Sequence, residues 1–313
     1  MKQYVLLPAL FLAISACAQV NGERGVMVRE AQIYLNPDAN AQKLGLVERG
    51  HEVVIIERSR EWIDVMAVVR DPTDMDPGQR LTGWILDKGV VRANTPNGDK
   101  ILFGEAVDSE NEASRRGGRK GADADAMRLY ARTAEYFPQS PLAGEAAYRA
   151  ADDQWQMDRI DVMTRRSARE RDPRNRAEID EHYMRNVMHK FPGTKWADMA
   201  AFHLIDNKLC GDWEGLAKCP EKEADIYEKY VNDHPQSPNA PEALYQAARR
   251  YAALMQIYPS DNKANKVPEA KQRAQALAQR IVSQYPQSDW APQAQTLLYM
   301  MEQGIPQYGN AVE

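Results

Sequence analysis

Three cysteines in 313 residues, with no C-x-x-C among them, leave little basis for redox catalysis or a thiolate metal site. Five histidines are few, and the two nearest each other, His182 and His189, stand seven apart. That is two helical turns, too far for a two-ligand clamp, so a surface or packing role is preferred and no metal or other cofactor is expected. The chain has no Walker-type glycine loop, no H-E-x-x-H, no G-x-S-x-G and no dinucleotide fingerprint. The chemistries those motifs serve have no sequence support, and no catalytic residues are assigned. A net charge of −5 gives no electrostatic case for nucleic acid across the surface. Two local basic runs remain, Arg115-Arg116-Arg119-Lys120 and the Arg165 to Arg176 segment; the second contains Glu170 and Asp172 and reads as a solvated connection, with an anionic lipid or phosphate contact by either run as the other reading. Beyond the amino terminus, no apolar stretch approaches the ~20 residues that span a bilayer.

What is present is repetition. YFPQSPLAGEAAY at Tyr136 returns as KFPGTKWADMAAF at Lys190, DHPQSPNAPEALY at Asp233 and QYPQSDWAPQAQT at Gln284. Counted from Pro138, Pro192, Pro235 and Pro286, the residue two on is Ser140, Thr194, Ser237 or Ser288. Five on stands Ala143, Ala197, Ala240 or Ala291, and eight on stands Ala146, Ala200, Ala243 or Ala294. Proline biases the residue before it away from the helical region and so closes a helix. The Ser or Thr is a good N-cap for the next one. Alanines three apart share a helical face and let a neighbour approach closely. The phrase therefore predicts a helix–turn–helix joint, written four times.

The segments around the joints carry helical periodicity. Helices are predicted at about 123–137, 142–160, 177–191, 196–209, 223–234, 240–258, 267–285 and 290–301. In the last but one, Ala270, Ala274, Leu277, Ala278, Ile281, Val282 and Tyr285 recur at three and four. Tyr148, Phe202 and Tyr245 recur ten residues after their prolines. Two readings stand for them: packing between helices, which is preferred, or the lining of a groove that takes a ligand.

The pattern FP-x-S-x-x-A-x-x-A-x-Y resembles tetratricopeptide repeats, particularly the divergent kind in BamD-type outer-membrane lipoproteins. A periplasmic repeat protein of cell-wall coordination shares the phrase. The resemblance covers residues 122–303, but the prolines lie 54, 43 and 51 residues apart, against about 34 for a standard unit. It implies an all-α solenoid offering an extended surface to protein segments.

The amino terminus, MKQYVLLPALFLAISACAQ, has one lysine, an apolar run and then small residues, as secretory signals do. Ile14-Ser15-Ala16-Cys17 resembles a bacterial lipobox, which implies removal of residues 1–16 and lipid attachment at Cys17. Ordinary cleavage after Ala18 is the other reading. With Cys17 acylated, the mature chain is expected to be soluble apart from its anchor, at the outer membrane and facing the periplasm. Cys210 and Cys219, nine apart in a compartment that permits disulfides, are then expected to pair, with two free thiols as the alternative.

Between signal and repeats, short β-type runs (VMVR, VVII, WIDVMAVV, GWIL) alternate with turns such as Asn36-Pro37-Asp38 and Asp76-Pro77-Gly78. Several strands within about 70 residues predict a small all-β barrel. Their order is similar to a bacterial SH3 domain, with EWIDV and TGWIL at that family's tryptophan positions, though the hairpin Val69 to Arg80 is longer than usual. The resemblance implies a ligand face at Trp62 and Trp84, with peptidoglycan or a peptide as ligand; core packing is the preferred reading of both rings. Residues 104–125 have almost no large apolar side chain and read as a flexible linker.

The expected organisation is a signal at 1–16, an SH3-like barrel at 21–103, a linker at 104–122, helical repeats at 123–303 and a tail at 304–313. The expected function is a non-catalytic envelope scaffold for outer-membrane protein assembly or cell-wall coordination. Its partners would be envelope proteins, held by the repeats. The rival reading is a peptidoglycan hydrolase, or its accessory, carrying an SH3 targeting domain.

Overall fold

A computed structural model describes residues 22–69, 78–169, 175–211 and 213–308. Cys17 and most of the long hairpin lie outside the described residues. The chain divides into two compact units, one ending at Ala93 and one beginning at Asn94. Strands come first and helices follow.

The first unit is one seven-stranded sheet in which every paired neighbour is antiparallel. The strands are β1 (Glu23–Met27), β2 (Ala31–Tyr34), β3 (Lys43–Val47), β4 (Glu52–Ser59), β5 (Trp62–Val69), β6 (Gln79–Leu86) and β7 (Val90–Arg92), in the order β3-β2-β6-β5-β4-β1-β7. Strand alternation sends every second side chain to one face. Ile63, Val65 and Ala67 of β5, Ile33 of β2, Ile55 of β4 and Ile85 of β6 accordingly form a single apolar cluster. Glycines allow the close approaches this requires. A β-carbon on Gly83 would stand 2.6 Å from the Tyr34 carbonyl oxygen, and one on Gly45 would stand 2.8 Å from Leu81. Side chains at either position would push the strands apart.

The second unit contains, among the described residues, nine α-helices: α1 (Gly98–Ala113), α2 (Ala122–Tyr136), α3 (Ala143–Thr164), α4 (His182–Lys190), α5 (Lys195–His203), α6 (Lys218–Asp233), α7 (Ala240–Ser260), α8 (Val267–Gln284) and α9 (Trp290–Glu302). Sequential helices pack together from α1 to α5 and from α6 to α9. Side chains bridge α5 to α6: Phe202 packs on Tyr230, and the Tyr230 hydroxyl donates to the Asp198 carbonyl at 2.8 Å.

The four joints close their helices in the same way. Phe137, Phe191, His234 and Tyr285, each just before its proline, have φ between −127° and −130° and ψ between 49° and 58°. Each N–H still bonds the carbonyl four residues back, closing the helix, before the chain turns. Thr194 caps α5, its hydroxyl accepting from Ala197 N. Ser140 and Ser237 accept instead from the amide two residues on, at 3.1 Å, so the next helix begins three residues later. All eight repeat alanines are buried, and Ala146, Ala200, Ala243 and Ala294 are wholly inaccessible. A larger side chain at those four would hold neighbouring helices apart.

Several boundaries differ from the sequence expectation. The unit boundary at Ala93 and Asn94 replaces the expected one at 103, and the expected linker 104–122 is helical through Ala113. Helix α1 succeeds with few large residues because Leu102, Ala106 and Ser109 fall on one face and are fully buried. Ser109 is tolerated there because its hydroxyl donates to the Glu105 carbonyl at 2.9 Å. Helix α4 begins at His182 rather than near 177. Both backbone polar groups of Ile179 are taken by the Asn207 side chain, at 3.0 and 2.9 Å, which holds that segment out of a helix. The wide repeat spacing is explained partly by long helices, 22 residues in α3 and 21 in α7. Finally, α6 starts at Lys218, so much of the expected connection 209–223 is helix.

Candidate functional site

On the sheet, Trp62, Asp64 and Met66 of β5 alternate with the core residues and face the other way. Their partners in β6 are Leu86, Trp84 and Thr82, and Tyr34 of β2 stands opposite Trp84. Trp62 and Trp84 therefore share the face opposite the apolar cluster. Neither joins that cluster. Trp62 is nonetheless buried, its ring edge-on to Tyr34 with centroids 5.5 Å apart. Trp84 is half-buried and Leu86 exposed. Burial, with the Glu57 carboxylate paired opposite, raises the pKa of Asp64. The result is an aromatic face with the Asp64 carboxyl group beside Trp84 and Glu57 across from it. Flat apolar ligands that also donate a hydrogen bond suit such a surface.

In the helical unit, the three recurring aromatics sit at the contacts between successive repeats. Tyr148 stacks on Trp196, with centroids 5.7 Å apart and planes 29° apart, and Tyr245 lies 5.1 Å from Trp290. Trp196 and Trp290 each lie four residues after a repeat proline. The aromatic ten after one proline thus meets the tryptophan four after the next. Where the third repeat has Asn239 at that position, Phe202 packs on Tyr227 and Tyr230. These contacts are the packing that sequence periodicity favours. Tyr148 also bonds His203 Nε2 at 3.1 Å, and burial lowers the His203 pKa despite the nearby Asp152 and Asp206.

No protein-family model matches the sequence, and no curated protein matches it. One solved structure, named DHF79 filament, aligns with 64% of this chain and 96% of its own, at 13% identity and a TM-score of 0.22. A likeness at that level carries no argument about this protein.

Between the second and third repeats lies a polar centre that no sequence motif marks. Cys210 and Cys219 are joined by a disulfide, Cα to Cα 6.0 Å. Buried Glu223 accepts from Cys210 N at 2.8 Å, from Trp213 Nε1 at 3.2 Å and from Arg250 Nε at 2.9 Å. Arg176 donates to the Cys210 carbonyl from the other side. The Arg250 guanidinium lies 4.6 Å from the Tyr227 ring centroid and 5.7 Å from that of Trp213. The loop after Cys210 is thus fixed by one covalent bond and one buried ion pair. Spacing singled out the cysteines, but nothing in the sequence marks Glu223 among so many glutamates.

Elsewhere, a cleft of about 220 Å³ beside the end of α3 is lined by Asp158, Asp161, Glu178, Asp180, Arg165 and Tyr183. Among the described residues, no group of histidines, cysteines and carboxylates could hold a metal ion, and His182 and His189 are part of no such group. His182 instead meets Asn186 at 3.0 Å. No helix among the described residues is long and apolar enough to cross a membrane.

Proposed function

We propose that the protein is a lipid-anchored lipoprotein of the outer membrane, facing the periplasm, whose helices bind envelope proteins and carry out no catalysis. The helices form a tetratricopeptide-like solenoid, and the sheet is an SH3-like barrel that contacts peptidoglycan through its Trp62–Trp84 face. One observation carries the reading: four joints at which the residue before the proline takes one backbone conformation, each seating two buried alanines. Such regularity stacks helices into an extended surface without enclosing a reaction chamber. The close approaches at Gly45 and Gly83 support a strongly curved sheet. Lipid at Cys17 would confine the helices to one bilayer, where membrane-bound partners are met more often. Stable anchoring needs two or more acyl chains, which lipoprotein chemistry supplies.

The test is Cys17→Ser combined with an ordinary signal-cleavage site, followed by fractionation and crosslinking in the envelope. The expected result is a folded chain released from membranes, with fewer crosslinks from the helices to envelope proteins. Unchanged retention and unchanged crosslinks would sink the proposal.

A further inference from the structure

The segment after α9 does not trail away. Gly304 takes φ +67° and lets the Ile305 N–H bond back to the Met300 carbonyl at 2.9 Å, which closes the helix and reverses the chain. Pro306 follows, its ring restricting the backbone there. Gln307 N then donates to Gln256 Oε1 on α7 at 2.9 Å. Tyr308 lays its ring on Trp213, with centroids 5.6 Å apart and planes 25° apart, and its hydroxyl oxygen accepts from Gly215 N at 3.0 Å.

The two sides of this contact differ in how firmly they are held. Trp213 and Gly215 belong to the loop closed by Cys210–Cys219, and Glu223 fixes both the indole N–H and the Cys210 amide. Arg250 lies beneath the indole and is itself tied to Glu223 and Gln246. The slot is therefore preformed. The segment in it is a surface strap: Gly304, Ile305 and Pro306 are exposed, and Gln307 and Tyr308 are half-buried. A rigid slot with a lightly held occupant is the arrangement of a receptor filled by an intramolecular ligand.

We propose that the Trp213–Gly215–Gln256 slot is a binding site for a protein segment bearing a tyrosine, and that residues 304–308 occupy it in cis as a displaceable pseudo-ligand. The indole stacks on the ring, the Gly215 N–H reads the phenol oxygen, and Gln256 takes a backbone N–H of the incoming chain. This site stands on its own geometry and does not depend on the envelope-scaffold reading. A short tether gives the cis strap an effective concentration of the order of millimolar, so it competes strongly with any segment arriving in trans.

The test uses a fluorescent peptide of residues 304–308, Gly-Ile-Pro-Gln-Tyr, titrated by anisotropy against the full chain and its variants. Tyr308→Ala empties the slot, and the peptide is expected to bind this variant at least tenfold more tightly than the wild type. Tyr308→Phe keeps the stacked ring and loses only the bond from Gly215, so it is expected to fall between the two. Replacing the peptide's own tyrosine by alanine should abolish binding. Equal affinity for wild type and Tyr308→Ala overturns the proposal. So does a Tyr308→Ala chain that keeps its thermal unfolding midpoint yet takes no peptide, or binding indifferent to the peptide's tyrosine. If Tyr308→Ala unfolds, the Tyr308→Phe chain decides: peptide affinity no greater than for the wild type overturns the proposal.

Discussion

Glu223 and Arg250 form a buried ion pair, Oε2 to Nε 2.9 Å, at the point where the disulfide loop meets α7. Glu223 is 2% exposed, so its charge is stabilised by what it touches rather than by water. Removing one partner leaves the other charged and unpaired in the interior, which typically costs about 3–5 kcal/mol. Glu223→Gln is expected to lose stability on that scale, measured by urea unfolding. Glu223→Gln with Arg250→Met removes both charges and should lose less than the two single changes added together. Additive losses would show that the two side chains do not act as a pair.

The Cys210–Cys219 bridge closes a short loop. In the chain-entropy account such a loop contributes about 2–3 kcal/mol. Peptide mapping without reductant should recover the two cysteines linked. Reductant, or the double change to serine, should lower the unfolding midpoint and raise protease cleavage near Trp213, because the bridge holds that loop against Glu223. Free thiols in protein purified without reductant would refute the pairing.

How far the sequence disclosed this molecule depends on whether a feature repeats. The joints were legible because proline, a hydroxyl residue and two alanines recur at fixed offsets, and a mutual offset is visible without any structure. Helix α1 was not. Its buried face is Leu102, Ala106 and Ser109, two of them small, so periodicity registered only polarity. The extra residues before His182 were read as helix because a single asparagine 28 positions away competes for the Ile179 backbone, and local propensity carries no trace of that. On the sheet, the tryptophans were visible but not their side of it. Residue parity places both opposite Ile63 and Ile85, and parity is informative only once the strand register is known. The Tyr308 slot joins residues more than ninety positions apart and had no sequence signal at all.

Asp153 on α3 sits among carboxylates: Glu110 of α1, Asp123 of α2 and its own neighbour Asp152, with Arg149 the cation nearby. Burial first, then these negative charges, push its pKa up to about 7. The folded state therefore holds a proton that the unfolded chain has lost at that pH. Between about pH 4 and pH 7 the native form binds more protons, so this group's contribution to stability falls as pH rises through that window. Asp153→Asn cannot ionise and is expected to raise the unfolding midpoint at pH 8 while changing little at pH 4. A midpoint equally shifted at both pH values would contradict the account.

The outer face of the sheet yields the last prediction. Trp84 is half-buried beside Asp64 and Tyr34, on the side away from the apolar cluster, so shortening it removes aromatic surface from that face and leaves the cluster intact. A stacked aromatic contact is commonly worth about 0.5–1.5 kcal/mol, up to roughly tenfold in affinity. If this face carries cell-wall affinity, Trp84→Ala in the full chain should sediment with purified peptidoglycan up to about tenfold less readily than the wild type. Thr82→Ala, on the same face but without a ring, should sediment normally. Both variants should keep the wild-type unfolding midpoint within a few degrees, since neither residue joins the core. The control matters because Trp62 on this face is buried and Trp84 only partly so: a variant that lost binding by loosening Trp62 would also lose stability. Peptidoglycan binding that persists undiminished in Trp84→Ala would move any cell-wall affinity off this face and leave the aromatic surface to a protein partner.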